Sequence, residues 1–262
     1  MPEEIIGIAG CGRMGSGMLA NLRQSGFDAR GFDVRKEAGV GTDIDQFCDG
    51  LKTVLTVVRD TTETDALLFD EQALLSKAED LQTLVICSTL PPSYIHDLRK
   101  RVPERITMID APMSGAQIGA EQGTLTFMTG GPADRIAPLL ATMGKHVHDM
   151  GDLGAGMTAK VLNNLLAASH TAMTRLVLDC ADVQGVDEGK LLALIQSASG
   201  ANWLASGFET IEFARDGYRD DNSIGILVKD VAAGLDIVPD DRSALPRAVS
   251  DVLAHLTPRP KP

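Results

Sequence analysis

Lys160, Asn163 and Asn164 follow Gly154-x-Gly156 at the head of a long stretch without proline. On a helix, positions i, i+3 and i+4 share a face, so a lysine and two amides point the same way from an otherwise apolar segment. A lysine so placed can shuttle a proton if burial and a nearby cation bring its pKa toward about 7–8. A second cluster is Gly10-Cys11-Gly12-Arg13-Met14-Gly15, running straight on from the apolar Ile5 to Ala9. In such a loop Gly10 permits the tight turn, Gly12 lets a pyrophosphate approach the backbone, and Gly15 lets a helix pack closely on a strand. Asp33, 18 positions after Gly15, is placed to accept hydrogen bonds from a ribose diol, which favours NAD over NADP. Arg35 pulls the other way, because an arginine there attracts a 2′-phosphate. A third cluster is Ser114-Gly115-Ala116. Its backbone N–H groups could hold a carboxylate, or it is a plain turn.

The elements that must carry these groups follow from periodicity. Strands are expected at Ile5–Ala9, Ala29–Phe32, Leu51–Val58, Leu84–Cys87, Ile106–Asp110, Thr124–Thr129 and His146–His148. Helices fall between them at Ser16–Gln24, Thr64–Phe69 (capped by Thr61 or Thr62), Ser93–Arg101 and Pro132–Met143, while 39–50 reads as a short polar connection. Strands alternating with helices imply a Rossmann-type, doubly wound parallel sheet, with ligands along its C-terminal edge. After Gly151 the strand signals stop. The long helical run ends at Gly185, and its apolar positions Leu162, Leu165, Leu166, Ala168, Met173, Leu176, Val177 and Cys180 read as falling largely on one broad apolar face. Lys190–Ser197, Phe208–Ala214, Ile224–Ile237 and Ala244–Leu256 are further helical patches, and the Pro-rich tail from Thr257 reads as frayed. The expected organisation is therefore α/β: residues 1–150 form a dinucleotide-binding domain. Residues 151–262 form an all-helical substrate and dimerisation domain that opens with a long interdomain helix.

Composition narrows the partners. The 262 residues carry a net charge of −12, which argues against nucleic acid or an anionic membrane surface. No apolar run is long enough to span a bilayer and the N-terminus lacks a basic leader, so a cytoplasmic protein is expected. The four cysteines form no CxxC pair and read as buried free thiols. His146-x-His148 lacks a third ligand nearby, so no metal site is expected.

Four separated segments resemble one family. Gly7 to Gly26, GIAGCGRMGSGMLANLRQSG, is similar to GxGxMGxxMxxNLxxxG of the β-hydroxyacid dehydrogenases. These are relatives of 6-phosphogluconate dehydrogenase, and 3-hydroxyisobutyrate dehydrogenase is their familiar member. DAPMSGAQIGAEQGTLTFMTGG resembles their substrate segment, Gly154 to Asn164 resembles their GxGxxxKxxNN, and Lys229-Asp230 resembles their KDL. Ser88-Thr89-x-x-Pro92 fits their STxxP. The resemblance implies that Lys160 is the general acid/base and that Asn164 orients lysine and substrate. It implies that Ser114 and Gly115 hold the substrate carboxylate, that Lys229 reaches the substrate, and that Thr89 lies by the nicotinamide. Gly10, Gly12, Arg13, Met14, Gly15 and Asp33 are left to the rest of the cofactor. It further implies hydride transfer between NAD(H) and a small β-hydroxyacid or its semialdehyde. The alternatives are an NADPH-dependent reductase of an aldehyde, keto acid or imine, or an inactive nucleotide sensor. Lys160 counts against an imine reductase. Ala116 departs from the family's second glycine, so it either tightens the carboxylate pocket or forces a negative φ. Lys229 is alternatively a surface ion-pair partner of Asp230. The helical half looks trimmed at its end, which would leave apolar surface for a second subunit in a homodimer or homotetramer.

Overall fold

A computed structural model describes residues 4–261. The first half alternates β1 (Ile5–Ala9), α1 (Arg13–Gln24), β2 (Ala29–Phe32), α2 (Ile44–Cys48), β3 (Leu51–Thr56), α3 (Thr61–Leu68), α4 (Leu74–Lys77), β4 (Thr83–Ile86), α5 (Pro92–Arg101) and β5 (Thr107–Asp110). The five strands pair in parallel in the order β2-β1-β3-β4-β5. Their residues are almost wholly buried, the pattern of a parallel sheet covered on both faces. One face packs through Ile6, Ile8 and Val85 against Met18 and Leu22 of α1. The other packs through Val54, Leu84 and Ile86 against Leu67 of α3 and Ile95 of α5. The strand order switches between the neighbouring β1 and β3, and the Gly10–Gly15 loop leaves β1 there, where doubly wound sheets take their ligands.

A second, three-stranded sheet follows, built from β6 (Met113–Ser114), β7 (Leu125–Thr129) and β8 (Gly144–Asp149), with α6 (Ala116–Gln122) and α7 (Ala137–Met143) between them. The expected strand near Thr124 is antiparallel to β6 but parallel to β8. The chain then becomes helical: α8 (Ala155–Gln184), α9 (Glu188–Ser197), α10 (Trp203–Ser206), α11 (Ser223–Gly234) and α12 (Ala244–Ala254). Two compact units result, Met1–Lys160 and Val161–Pro262, and the boundary falls inside α8. No helix of the described residues is long and apolar enough to cross a membrane.

Several local expectations give way to the structure. Residues 39–50 contain α2, because Asp43 caps it by accepting from the backbone N–H of Asp45 and Gln46. The cap of α3 is Asp60, not a threonine: its carboxylate accepts from Glu63 N at 2.9 Å. Phe208–Ala214 is a run of turns, not a helix. The C-terminal tail is not frayed. The Arg259 side chain is buried and its guanidinium pairs with Glu188, Asp179 and Asp182, while the carbonyls of Thr257 and Pro260 accept from Arg175 and Arg215. Cys11, Cys48 and Cys87 are buried, and burial pushes their thiols up. Cys180 is exposed. The apolar face expected for α8 is borne out only in part: Ala168 is buried, but Leu162, Leu166, Met173, Leu176 and Cys180 face solvent, and the buried face continues through Ala172, Thr174 and Leu178.

Candidate active site

The glycine loop has the shape its spacing demands. Gly10 has φ +95°, and a Cβ there would lie 2.6 Å from the Val57 carbonyl oxygen. A Cβ on Gly15 would collide with the Gly10 carbonyl. α1 therefore starts hard against β1, with Gly12 as its N-cap and no acidic side chain in its first turn. Gly12 and Arg13 line a cavity of about 540 Å³ that extends to Arg35 and to Gln117 of α6. Arg13 is exposed, whereas Met14 packs into the core beneath. Helices α1 and α6 meet at Gly17 and Ala120, and Asn21 Nδ2 of α1 donates to the Ala120 carbonyl at 2.6 Å.

Asp33 closes β2 as a buried carboxylate. It accepts from the backbone N–H of Arg35 at 2.9 Å and from its Nε at 3.2 Å. Burial works against the charge, but the Arg35 hydrogen bonds outweigh it and hold the carboxyl below the usual aspartate range. Asp33 and Arg35, which favour opposite cofactors, are thus one ion pair. Beyond β4, the Ser88 hydroxyl is buried with no hydrogen-bond partner among the described residues, immediately before Thr89. A buried hydroxyl of this kind calls for a partner. With the glycine cradle and the uncapped helix end, these residues fit a dinucleotide.

Ser114 ends β6 opposite Thr126. Gly115 then takes φ +137° and Ala116 φ +54°. Ala116 does not adopt the negative φ considered for it; it occupies the left-handed region that costs an L-residue roughly 1–2 kcal/mol. Strain of this kind persists where surrounding structure over-determines it. Ala116→Gly is therefore expected to stabilise the chain by about 1 kcal/mol, read as a rise in the urea midpoint at unchanged slope. An unchanged or lower midpoint would show that the alanine is not strained.

The head of α8 is clamped by a residue the motif reading left without a role. Asp110, fully buried at the end of β5, accepts from Gly154 N at 2.7 Å through Oδ1 and from Met157 N at 2.6 Å through Oδ2. Burial raises its pKa, and the two N–H donors offset only part of the rise. The Met157 sulfur accepts from Leu90 N at 3.3 Å, tying α8 to the loop that carries Thr89. Gly154 has φ +94°, and a Cβ there would press on the His96 ring. Lys160 lies one turn past Met157 and is only 6% exposed.

Asn164 is one turn further along α8 and is also buried. Its Nδ2 donates to Asp230 Oδ2 at 2.5 Å, and its Oδ1 accepts from Asn163 at 3.3 Å. A carboxylate only accepts at neutral pH, so Asp230 dictates which end of the amide faces it. The other Asp230 oxygen pairs with Lys229 Nζ at 3.1 Å, and Lys229 is about one-third exposed. Asp230 thus joins Asn164 and Lys229. Its sequence signal was only that it adjoins Lys229. Its link to Asn164 spans 66 residues. Among the described residues no cluster of His, Cys, Asp or Glu is arranged to hold a metal ion.

Residues 5–151 match the NAD-binding domain of 6-phosphogluconate dehydrogenase. Residues 154–252 match the NAD-binding segment of NADP-dependent 3-hydroxyisobutyrate dehydrogenase. The fold and these two matches define an NAD(P)-binding oxidoreductase of the Rossmann type. The 3-hydroxyisobutyrate dehydrogenase of Pseudomonas aeruginosa is 30% identical, with 88% of this chain and 84% of that protein aligned. The L-threonate dehydrogenase of Cupriavidus necator is 29% identical over 92% and 86%. The NAD-dependent L-serine dehydrogenase of P. aeruginosa is 30% identical over 76% and 71%. In fold, the chain superposes on Mycobacterium tuberculosis 3-hydroxyisobutyrate dehydrogenase solved with L-serine, with a TM-score of 0.80 at 23% identity, covering 98% of this chain and 96% of that one. The chain belongs to the β-hydroxyacid dehydrogenase family.

Proposed function

We propose that this chain transfers hydride between NAD(H) and a small β-hydroxyacid or its semialdehyde, with Lys160 as the general acid/base. The observation that carries the reading is the buried Lys160, set one turn beyond a helix head that Asp110 fixes through two backbone hydrogen bonds. In oxidation the Lys160 amine takes the substrate hydroxyl proton; in reduction the ammonium returns it to the carbonyl oxygen. Asn164, its amide oriented by Asp230, aligns the lysine and the reacting oxygen. Ser114, Gly115 and Ala116 are assigned to the substrate carboxylate and Lys229 to substrate binding. Gly10, Gly12, Arg13, Met14 and Gly15 would hold the cofactor's pyrophosphate segment, Asp33 its adenosine ribose, and Thr89 the nicotinamide end. When bound, that cofactor supplies the hydride or accepts it. The relatives named for hydroxyisobutyrate, threonate and serine share a hydroxyl on a short carboxylate, which supports this substrate class.

The reading is tested by an activity screen over 3-hydroxyisobutyrate, 3-hydroxypropionate, serine, glycerate, threonate and 4-hydroxybutyrate with each cofactor. A 2′-phosphate would bring further negative charge beside the ionised Asp33. At about 4 Å one such repulsion is worth on the order of 1–4 kcal/mol, so kcat/KM with NAD is expected to exceed that with NADP by roughly tenfold or more. Asp33→Ala should erase most of that ratio. A wild-type preference for NADP would mean that Arg35 governs the choice, and absence of turnover across the panel would leave a nucleotide-binding protein without this activity.

A further inference from the structure

Met157 makes two hydrogen bonds that run to two different strands of the large sheet. Its backbone N–H donates to Asp110 Oδ2 at 2.6 Å, at the end of β5. Its Sδ accepts from the backbone N–H of Leu90 at 3.3 Å, in the loop that follows β4. These two strands are themselves paired: Ile86 lies opposite Asp110, and the Ala111 N–H donates to the Ile86 carbonyl at 2.8 Å. The ends of β4 and β5, the loop and the head of α8 are thus tied together through one residue. Met157 and Leu90 are both fully buried, in the core that also holds Ile86, Ile95 and Met108.

The sulfur meets a donor that the sequence makes hard to satisfy. Leu90 is followed by Pro91 and Pro92, and α5 begins at Pro92. Neither proline has an N–H, so that of Leu90 is the last main-chain donor before the helix. Buried, it needs an acceptor. A thioether is a weak acceptor on a flexible, unbranched stem. The bond matters less for its own strength than for what its loss would leave, an unpaired buried donor in the residue after Thr89. On α8, Met157 and Lys160 stand at i and i+3, so they share a face, and Lys160 is buried beside it.

We propose that Met157 is a positioning residue. Its sulfur pins the 88–90 loop, and Thr89 with it, to the turn of α8 that presents Lys160. That contact sets the spacing between the nicotinamide end and the proton-transferring amine. The inference rests on the roles proposed above for Thr89 and Lys160. A misplacement of about 1 Å between reacting groups can cost on the order of a hundredfold in rate, so a loop released at Leu90 lowers kcat.

Two substitutions separate positioning from packing. Met157→Leu keeps an apolar side chain of similar volume and removes the acceptor. Met157→Gln supplies an acceptor at similar reach, Oε1, but places a polar amide in the core. Positioning through the acceptor orders kcat as wild type, then Gln, then Leu, with the Leu variant slower by roughly ten- to a hundredfold. Packing alone would put Leu above Gln. NAD affinity by calorimetry should stay near that of the wild type in both variants, since Gly10, Gly12 and Asp33 lie at the ends of β1 and β2. Amide hydrogen exchange at Leu90, followed by NMR in the chain without ligands, reads the contact independently of turnover. It should quicken in Met157→Leu and slow again in Met157→Gln. A Leu variant that matches the wild type in kcat and in Leu90 exchange, or that outruns the Gln variant, would overturn the proposal and leave the hydroxyacid activity standing. A wild type without turnover would overturn the activity itself and the positioning role with it.

Discussion

Lys160→Ala is expected to lower kcat by about 100- to 10,000-fold, the usual worth of a positioned general acid/base, while NAD affinity stays nearly unchanged. The two effects separate because Gly10, Gly12 and Asp33, the residues proposed for the cofactor, lie at the ends of β1 and β2, whereas Lys160 belongs to α8. Removing a side chain that acts on the transition state lowers kcat and kcat/KM together and leaves ground-state binding alone. NAD binding by calorimetry and single-turnover hydride transfer measure the two quantities. Small primary amines added to the alanine variant should restore part of the rate, which a merely structural lysine would not allow. A variant that turns over at the wild-type rate would remove Lys160 from the mechanism. One that loses NAD binding and helical signal as well would mark it as a structural residue.

Arg259→Ala is expected to destabilise the second unit by about 3 kcal/mol, lowering its Tm by roughly 10 °C. The size follows from burial. Arg259 and Glu188 are both under one-tenth exposed and meet at 2.6 Å, so the alanine leaves a buried carboxylate with Arg215 as its remaining cation. The same pair sets an acid limit. Burial pushes the Glu188 carboxyl up, but Arg215 and Arg259 outweigh it, and the group ends below the ordinary glutamate value of 4.5. A depressed folded pKa contributes stability that is complete above the unfolded value. That contribution is lost as pH falls through the folded one. Unfolding of the wild type should therefore ease as pH drops below about 4.5, and Glu188→Gln should flatten that dependence at some cost at neutral pH. Thermal melts of both variants and of a chain ending at Leu256 measure this. If the shortened chain melts with the wild type, the tail contributes nothing.

What the sequence determined by itself is local. The strand, glycine loop, helix and terminal acid from Ile5 to Asp33 are legible because each glycine is required by its own φ or by a neighbour's approach within a few residues. The sharing of one helical face by Lys160 and Asn164 is legible for the same reason: helical geometry is set by spacing alone. The tertiary structure decided what holds them. The Asp110 carboxylate reaches Gly154 across 44 residues, Asp230 reaches Asn164 across 66, and Arg259 reaches Glu188 across 71. Nothing at either end of these pairs has a period or a local motif that specifies the other, since a hydrogen bond between distant segments is fixed only once both are folded. Periodicity likewise identified α8 as an amphipathic helix but not which stripe is inside. Ala168, Ala172, Leu178 and Ala181 are buried, whereas Leu162, Leu166, Met173, Leu176 and Val183 face outward, because which stripe is covered depends on distant segments that pack on it.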